Sequence, residues 1–390
     1  MRILLDLRCL ETASAARGLG RHTRELAVAL RTAAPAAVRM AGLSFEGSVA
    51  RDLGLETVLH PGPRRGITLT DRWLLPRLFR HEEIDLYHAP AFGLPAHGAP
   101  GTALVLTVHD LIPDLLPGTV SLRARSAFRR IYRSAAAADR VIAISETTRR
   151  DLLARYPVPA ERVVVVPNGV AAPFAESAQA APGAAGSDPF LLYVGGLDPS
   201  KNVPFLLDVL AEVRRQVPSM RLALAGETGP RLEALRARAR AAGLEDALLL
   251  LGFLGDARLA AAYRDAAAFL FPSLYEGFGL PPLEAMAAGC PVVASPGGAL
   301  PEVLDGAAWI APLNDAAAWA GAVVTLHRDV ARRRARVDAG RAHAARFTWE
   351  RVGRETWEVY LSLLEPVPPE IRDPETAGAP PEGPWPRPVR

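Results

Sequence analysis

The sequence predicts an α/β protein in which two doubly wound domains face each other across a central cleft. Three observations support this prediction. Short apolar runs alternate with helical stretches along most of the 390 residues, which is typical of a parallel sheet covered by helices on both faces. A stretch rich in Ala, Gly, Pro and Ser at 171–189 interrupts the alternation, which then resumes. Glycines also follow several of the apolar runs, where a turn is needed.

Seven apolar runs in the first half predict the strands of one sheet. Most are uninterrupted rather than alternating, as expected when both faces of a sheet are buried. The predicted strands are 2–7, 38–45, 56–60, 85–89, 103–109, 140–145 and 163–167. The helical stretches between them include 22–30, 121–140 and 146–156, and Ser145 is the expected N-cap of the last.

The second half repeats the pattern with six runs and ends in an amphipathic segment. The predicted strands are 190–195, 221–225, 247–253, 267–271, 291–295 and 309–311. The apolar and aromatic residues of 347–364 recur at helical spacing and predict a C-terminal helix. We therefore predict domains at 1–172 and 190–346, a linker at 173–189, a final helix at 347–365 and a Pro-rich, disordered tail at 366–390.

Composition narrows the functional classes. Hydrophobic residues make up 49% of the chain, which supports large cores, and a net charge of +3 is too small to indicate a nucleic-acid partner. Cys9 and Cys290 are the only cysteines, which argues against a disulfide scaffold and a Cys-based zinc site and fits a reducing cytoplasm. The N-terminal stretch lacks the apolar core of a secretory signal, and no run of about 18 uncharged apolar residues predicts a membrane span.

The most informative stretch is FPSLYEGFGLPPLEAMAAGCPVVAS at 271–295. It predicts a strand, a glycine turn, a helix and a second strand. Gly277 and Gly279 leave room for a ligand to lie against the main chain, and Pro281 and Pro282 suit the start of a helix. A helix N-terminus favours an anion through its free N–H groups and its dipole. The turn therefore predicts a phosphate site.

Two carboxylates flank this turn. Glu276 precedes it and Glu284 lies one turn into the helix, so both side chains can converge on one ligand from different sides. Carboxylates accept hydrogen bonds from neutral hydroxyls. A nucleoside diphosphate sugar has a diphosphate between two polyols. It would therefore satisfy the phosphate site at the turn and both flanking carboxylates. The alternative interpretation is that both glutamates are solvated charges at a loop and a helix start.

The segment resembles the E-x7-E signature of retaining glycosyltransferases with the GT-B fold, in particular glycosyltransferase family four, and the match extends through FGLPPLEAMAAGCPVV. The resemblance implies that Glu276 contacts the donor sugar and that Glu284 holds the nucleotide ribose. It also implies that the backbone of Gly277, Phe278, Gly279 and Leu280 meets the diphosphate and sugar. The acceptor would bind on the N-terminal domain, the donor on the C-terminal domain, and the last helix would cross back to the first domain.

Two features of the first half match the same family. Gly18-Leu19-Gly20-Arg21 precedes a predicted helix; alone it indicates either a flexible loop or a weak phosphate site. Family members carry a similar loop near the donor phosphates, so the resemblance implies donor binding at Gly18 and Gly20. His109 ends a predicted strand, where side chains face the ligand crevice, and the family's histidine lies near the donor sugar. We expect His109 to position the sugar or stabilise charge.

The second half supplies further candidates. In YVGGLDPSKN, Gly195 allows close backbone approach and Lys201 offers a positive charge for a phosphate. Phe253, in LGFL, matches the family position near the nucleobase. The family also places an arginine nearby, but Gly196 and Ser200 occupy those positions here. Lys201 is then the main cation, and Arg21, Arg231 or a backbone site could compensate.

The predicted function is retaining transfer of a hexose from a nucleoside diphosphate sugar to a glycan or a lipid-linked acceptor. HAPAFG, TVHDLIP, ISETTRRDL and VPNGV are most similar to bacterial mannosyltransferases of cell-surface polysaccharide assembly, which favours GDP-mannose. The chain has no D-x-D motif, so we expect no metal and no cofactor besides the donor. The alternatives are a UDP- or ADP-sugar donor and an inactive GT-B protein that binds nucleotides or glycans. A dehydrogenase would need a third glycine where Thr23 stands.

The predicted helix at 121–140 is strongly basic. A solvated face explains most such helices. The alternative is a surface that faces anionic lipid or a lipid diphosphate acceptor, which would place the protein peripherally on the cytoplasmic face of a membrane. The arginines concerned are Arg123, Arg125, Arg129, Arg130 and Arg133.

Overall fold

The computed structural model describes residues 1–16, 18–62, 67–177, 188–226 and 228–364. In these ranges the chain forms two parallel sheets. The strands of the first are β1 (Arg2–Asp6), β2 (Arg39–Ser44), β3 (Glu56–Leu59), β4 (Leu86–Ala89), β5 (Ala103–Val108), β6 (Arg140–Ala143) and β7 (Val163–Val165). The strands of the second are β8 (Phe190–Gly195), β9 (Arg221–Gly226), β10 (Leu248–Gly252), β11 (Ala268–Phe271), β12 (Val292–Ala294) and β13 (Trp309–Ile310).

Each sheet is doubly wound, as predicted. The first has the order β3-β2-β1-β4-β5-β6-β7 and the second β10-β9-β8-β11-β12-β13. Every predicted strand forms, and the inner strands β4 and β11 are buried at every residue, as expected for continuous apolar runs. The order reverses between β1 and β4 and between β8 and β11. Ligands bind at such reversals, just beyond the carboxyl ends of the strands.

Helices cover both sheets. In the first half they are α1 (Gly18–Thr32), α2 (Ser48–Asp52), α3 (Ile67–His81), α4 (Ile112–Leu115), α5 (Leu122–Ser134), α6 (Glu146–Arg155) and α7 (Ala172–Ser177). In the second half they are α8 (Phe205–Arg214), α9 (Pro230–Ala241), α10 (Asp256–Asp265), α11 (Leu280–Ala287), α12 (Leu300–Leu304), α13 (Ala316–Arg328), α14 (Val330–Ala344) and α15 (Trp349–Leu361). No helix in the described ranges combines the length and the apolar character that a membrane crossing requires.

Two helix boundaries differ from the prediction. Helix α1 begins at Gly18, so the expected glycine loop is the first helical turn. A Cβ on Gly20 would lie 2.4 Å from the carbonyl oxygen of Ala15, so the glycine lets this turn pack against the preceding 3-10 turn. Helix α5 ends at Ser134 rather than at residue 140, because Ala135–Ala137 tightens into a 3-10 turn before β6.

The start of the predicted linker is also structured. Helix α7 begins at Ala172, and its Phe174 is fully buried. The Phe174 ring packs edge-on against Tyr263 of α10, with 5.9 Å between ring centres. This segment therefore contributes to the core of the second domain, since one aromatic residue suffices to anchor a short helix. The remaining linker residues 178–187 and the predicted tail at 366–390 lie outside the described residues.

Helix α15 packs on the first domain although it follows the second in sequence. Its Trp357 donates a hydrogen bond from Nε1 to the carbonyl oxygen of Leu30 on α1, at 3.0 Å. Its Tyr360 hydroxyl lies 2.6 Å from Nδ1 of His88 on β4. The aromatic stripe of this helix thus completes the core of the first domain, which ties the two ends of the chain together.

Candidate active site

The two domains meet at Gly277, just beyond the carboxyl end of β11. A Cβ on Gly277 would lie 1.9 Å from the carbonyl oxygen of His109, which follows β5 of the first domain. The Ser145 hydroxyl donates a hydrogen bond of 2.8 Å to the carbonyl oxygen of Gly277. Glycine is therefore required here by the close approach of the other domain.

A second contact joins the domains beside the first. Glu302 of α12 accepts hydrogen bonds from the backbone N–H groups of Glu146 and Thr147, at 2.7 and 2.9 Å, and from the Thr147 hydroxyl, at 2.6 Å. These groups form the N-terminus of α6, where a carboxylate is favoured by the helix dipole. Glu302 thus caps a helix of the opposite domain, which the chain order alone does not reveal.

Lys201 and Glu276 form an ion pair at the reversal point of the second sheet. Lys201 Nζ lies 2.7 Å from Oε1 of Glu276, and the carboxylate residue is 8% exposed. Lys201 follows β8 and Glu276 follows β11, which are neighbouring strands. Burial disfavours the charge of Lys201, but the adjacent Glu276 carboxylate outweighs it and raises the pKa of the lysine. Both predicted residues therefore lie together as an ion pair.

Asp110 adds a second carboxylate that the sequence analysis did not select. Burial raises its pKa, and the nearby Glu276 raises it further, whereas a hydrogen bond from the Ile112 N–H and the charge of Lys201 act in the opposite direction. That hydrogen bond is 2.9 Å long. The TVHDLIP motif contained the signal, since Asp110 directly follows His109. Asp110 is thus a second acidic residue within electrostatic range of Lys201.

The protonation state of His109 follows from its partner. Its Nε2 lies 2.7 Å from the carbonyl oxygen of Pro90, which can only accept, so Nε2 carries the proton. Burial lowers the pKa of His109 to about 4, so the ring is neutral at pH 7 and Nδ1 is an acceptor. The ring packs edge-on against His22, with 4.6 Å between centres. His109 can therefore accept a hydrogen bond from a substrate hydroxyl.

Glu284 is held by an arginine of the other domain. Arg21 Nη1 lies 2.6 Å from Oε1 of Glu284, and Nη2 contacts Asp256 at the start of α10. The Tyr263 hydroxyl donates to Oε2 of Glu284 at 3.3 Å. Burial raises the pKa of Glu284, although Arg21 opposes the shift. Arg21, named in the sequence analysis only as one possible compensating cation, is thus the strongest partner of this glutamate.

The helix that carries Glu284 begins as predicted. Gly279 has a φ of +116°, which favours glycine, and α11 starts at Leu280. The Phe278 ring is 3% exposed and packs against Phe347, with 5.9 Å between ring centres. Phe278 can therefore serve a donor only through its backbone, as the family resemblance implied. Its ring belongs to the core of the second domain.

The remaining predicted residues lie at strand ends of the second sheet. Gly195 ends β8 with a φ of +148°, and its carbonyl oxygen lies 2.4 Å from the position of a Cβ on Gly226. Phe253 follows β10 and is 73% exposed. Ser200 is buried, whereas Arg231 forms an ion pair of 2.8 Å with Asp198.

The predicted residues therefore form two groups and an outlying set. His109, Lys201 and Glu276 lie together where the domains meet. Glu284 of α11 pairs with Arg21 of the first domain. The outlying set consists of Gly18 at the start of α1, Gly195 at the end of β8 and the exposed Phe253 after β10. Within the described ranges, no group of three or more His, Cys, Asp or Glu side chains is arranged to hold a metal ion.

Two facing, doubly wound domains define the GT-B class of glycosyltransferases. Comparison with family models agrees with this class: residues 16–172 match the model described as Glycosyltransferase Family 4, and residues 175–343 match Glycosyl transferases group 1. The chain is 31% identical over 366 residues to the phosphatidyl-myo-inositol mannosyltransferase of Mycobacterium leprae, covering 91% of each chain. The chain belongs to the family 4 glycosyltransferases of the GT-B fold.

Other relatives agree. The O-antigen chain mannosyltransferase B of Escherichia coli is 30% identical over 297 residues, which cover 71% of this chain and 74% of that protein. Among solved structures, Anabaena Alr3699/HepE in complex with UDP-glucose has a TM-score of 0.73 at 20% identity and covers 93% of this chain and 100% of its own. At that identity the structure supports the fold alone.

Proposed function

We propose that this glycosyltransferase moves a hexose with retention of configuration from a nucleoside diphosphate sugar to a glycan or a lipid-linked acceptor. Mannose is the favoured sugar, and GDP-mannose is the favoured donor. The observation that carries the proposal is the Lys201–Glu276 pair, 2.7 Å long, at the reversal point of the second sheet. It combines a cation for phosphate with a carboxylate for sugar hydroxyls, beside the end of the β5 strand of the opposite domain.

Each group has a defined chemical task in this reaction. Lys201 and the α11 N-terminus stabilise the negative charge that develops on the departing nucleoside diphosphate. Glu276 and Nδ1 of neutral His109 accept hydrogen bonds from the sugar hydroxyls and orient the ring. The carboxylate of Glu276 also supports positive charge on the sugar. Without a dedicated nucleophile, the acceptor hydroxyl attacks the same face that the leaving group vacates. The bond between the anomeric carbon and the phosphate oxygen breaks, the new glycosidic bond forms, and the hydroxyl proton passes to the departing phosphate oxygen, with no metal required.

The relatives support the choice of sugar. Two of the proteins with the broadest similarity are a phosphatidyl-myo-inositol mannosyltransferase and an O-antigen chain mannosyltransferase. Both names state a mannosyltransferase, one for phosphatidyl-myo-inositol and one for an O-antigen chain. A UDP- or ADP-sugar donor is the alternative within the same family. D-inositol 3-phosphate glycosyltransferases at 34% identity keep that alternative open, since their name gives no sugar.

The first experiment is a thermal-shift panel of GDP, UDP, ADP, their common sugar conjugates and NAD. A ligand that binds only the folded chain stabilises it by about 2.7 kcal/mol at 100-fold excess over its dissociation constant. Stabilisation by GDP and GDP-mannose supports the proposed donor, and stabilisation by UDP or ADP sugars alone replaces it. NMR of the transferred product then gives the anomeric configuration: an inverted product contradicts the retaining mechanism.

A catalytically inactive binding protein is the second candidate. The observation that favours it is the uncharged pair Gly196 and Ser200, where family members carry an arginine. Such a protein binds nucleotide sugars without releasing free nucleotide. Measuring nucleoside diphosphate release with membrane glycolipids as acceptors separates the two candidates. Release above the donor-only rate, abolished in Lys201→Ala, supports the transferase.

The basic face of α5 is the proposed membrane contact, at the cytoplasmic surface. Arg123, Arg130 and Arg133 are exposed, and Leu122 is 82% exposed. Arg125 and Arg129 instead pair with Asp114, at 3.4 and 2.6 Å. Co-sedimentation with vesicles tests the contact: the chain should bind vesicles with anionic lipid, and a triple Arg→Gln variant at the exposed positions should not.

A further inference from the structure

The Arg21 guanidinium is bound to the carboxylate of Glu284, which the proposed function assigns to the donor ribose. Nη1 lies 2.6 Å from Oε1 of Glu284, the other arm contacts Asp256, and the guanidinium carbon lies 5.1 Å from the centre of the Phe174 ring. Arg21 belongs to the first domain, and its partners belong to the second. A ribose can bind both oxygens of Glu284 only after the guanidinium has moved.

The groups that Arg21 would leave behind keep other stabilising contacts. Glu284 retains the hydrogen bond from the Tyr263 hydroxyl and would gain bonds from the ribose. Asp256 is the first residue of α10, where the helix dipole favours a carboxylate, and its side chain is 44% exposed. The Arg21 side chain is 25% exposed. The exchange of partners is therefore physically accessible.

The expected diphosphate position has little positive charge and few N–H donors from the helix itself. Of the first three residues of α11, only Leu280 has an N–H, because Pro281 and Pro282 lack one. Gly196 and Ser200 provide no charge. Lys201 is the only lysine in the sequence, and Glu276 holds it at 2.7 Å. Two ionised phosphates would thus meet one lysine that is already paired.

Arg21 lies close enough to supply the missing charge. Glu284 follows Leu280 by four residues, which is about 6 Å along a helix that rises about 1.5 Å per residue. A guanidinium bound to Glu284 is therefore about one helical turn from the N-terminus of α11. Its planar fork of N–H donors suits paired hydrogen bonds to phosphate oxygens.

We propose that Arg21 is a donor-binding residue that exchanges partners: it releases Glu284 to the ribose and binds the diphosphate beside Lys201. This inference rests on the proposed function and names the second cation of the same site. It explains how the chain manages without an arginine at 196 or 200. The cation of this exchange comes from α1 of the first domain, so both domains contribute to donor binding.

The exchange predicts effects of opposite direction on two ligands. In Arg21→Gln the competitor for Glu284 is gone, so guanosine, which has a ribose and no phosphate, should bind as tightly as before or more tightly. GDP should lose the charged hydrogen bonds to its phosphates and bind more weakly. The ratio of the guanosine and GDP dissociation constants should then fall by about tenfold to a hundredfold.

The experiment is calorimetric titration of guanosine and GDP, repeated with uridine and UDP and with adenosine and ADP. The matched control is Arg24→Gln, because Arg24 is exposed on the same helix; it should leave the ratio unchanged. Arg21→Lys should restore part of the ratio, since lysine keeps the charge without the paired geometry. Should Arg21→Gln fail to fold, Arg21→Lys still tests the inference, because it should lower the ratio of dissociation constants by a smaller factor.

The outcomes separate the inference from the proposed function. An unchanged ratio of the guanosine and GDP dissociation constants in the Arg21 variants overturns the inference. This includes the case in which nucleoside and nucleotide both bind more tightly by the same factor, because Arg21 would then only compete for Glu284. A wild-type chain that binds no nucleoside diphosphate in any series overturns the proposed function itself.

Discussion

Lys201 Nζ and Glu276 Oε1 are 2.7 Å apart, and each residue follows one of the two strands between which the order of the second sheet reverses. The pair brings together residues 75 positions apart in sequence. It is the centre of the proposed donor site, because one partner suits a phosphate and the other a sugar hydroxyl.

Replacing either member of this pair should reduce transfer and preserve the fold. We expect Lys201→Ala and Glu276→Ala each to lower kcat by about 10²–10³, as removal of one preorganised electrostatic group does in other enzymes. The effects should be less than multiplicative in the double variant, because each single change already breaks the shared contact. Steady-state kinetics and thermal unfolding check this prediction, and unchanged turnover in either single variant removes its assigned role.

The single lysine allows the proposed donor site to be labelled directly. Besides the N-terminal amine, Lys201 offers the only amino group in the chain, so an amine-reactive acyl reagent should modify two positions at most. The raised pKa of Lys201 should slow its reaction relative to the N-terminus, since less of the free amine is present. Saturating donor should slow it further, and mass spectrometry of peptides measures both effects.

The labelling experiment has an internal control. Lys201→Arg should incorporate label only at the N-terminus. Donor-independent acylation of Lys201 would contradict its contact with the phosphates.

Adding one methyl group at the domain contact should disturb both stability and activity. In Gly277→Ala the new Cβ would lie 1.9 Å from the His109 carbonyl oxygen, a backbone atom that cannot turn aside. We expect a loss of about 1–3 kcal/mol in the free energy of unfolding, as overpacking causes, and a strong loss of transfer. Denaturant unfolding and kinetics measure the two.

Gly321→Ala is the matched control for that change. Gly321 lies within α13, and nothing lies within 4 Å of the position of its Cβ. Alanine there should stabilise the helix by about 0.5–1 kcal/mol. Equal stability losses in the two variants would show that the domain contact is not the cause.

Acid should destabilise the chain through its buried histidines. Burial lowers the pKa of His88 to about 3 and that of His109 to about 4. Because unfolded histidine titrates near 6.5, the unfolded chain binds more protons below that pH. Each histidine thus contributes stability that is present above pH 6.5 and lost as the pH falls, by about 1.4 kcal/mol per unit.

Chemical denaturation between pH 7.5 and 4.5 tests this dependence, with His88→Gln as the comparison. Glu25, Asp110 and Glu284 have raised pKa values and act in the opposite direction, since they bind protons more readily in the folded chain. Because His88→Gln lacks one of the histidines with a lowered pKa, its free energy of unfolding should fall less steeply with acid than that of the wild type. Identical slopes would contradict the assignment to His88.

The fold was predictable because continuous apolar runs are typical of strands in a parallel sheet that helices cover on both faces. Each strand predicted from such a run forms. Predictions based on glycine and alanine were less successful. The Gly18 segment is helical instead of a loop, and α7 occupies the start of the linker, because packing against Ala15 and around Phe174 outweighed local propensity.

The candidate site was partly predictable for a related reason. Residues close in sequence to a glycine turn or a strand end, such as His109, Glu276 and Glu284, stand out by position. Contacts across the domains have no local signal: Glu302 at the N-terminus of α6 joins residues 156 positions apart, and Arg21 and Glu284 are 263 apart. Asp110 was missed although it is adjacent to His109.

The sequence by itself determined the two doubly wound sheets, the place where each strand ends and the residues that follow those ends, because hydrophobic periodicity and turn chemistry are local properties. The tertiary structure decided which charges neutralise each other. It placed Lys201 on Glu276 and Arg21 on Glu284, and it pressed Gly277 against His109. Those pairings depend on the relative position of two domains, which is set by packing over their whole interface and by the return of α15 to the first domain.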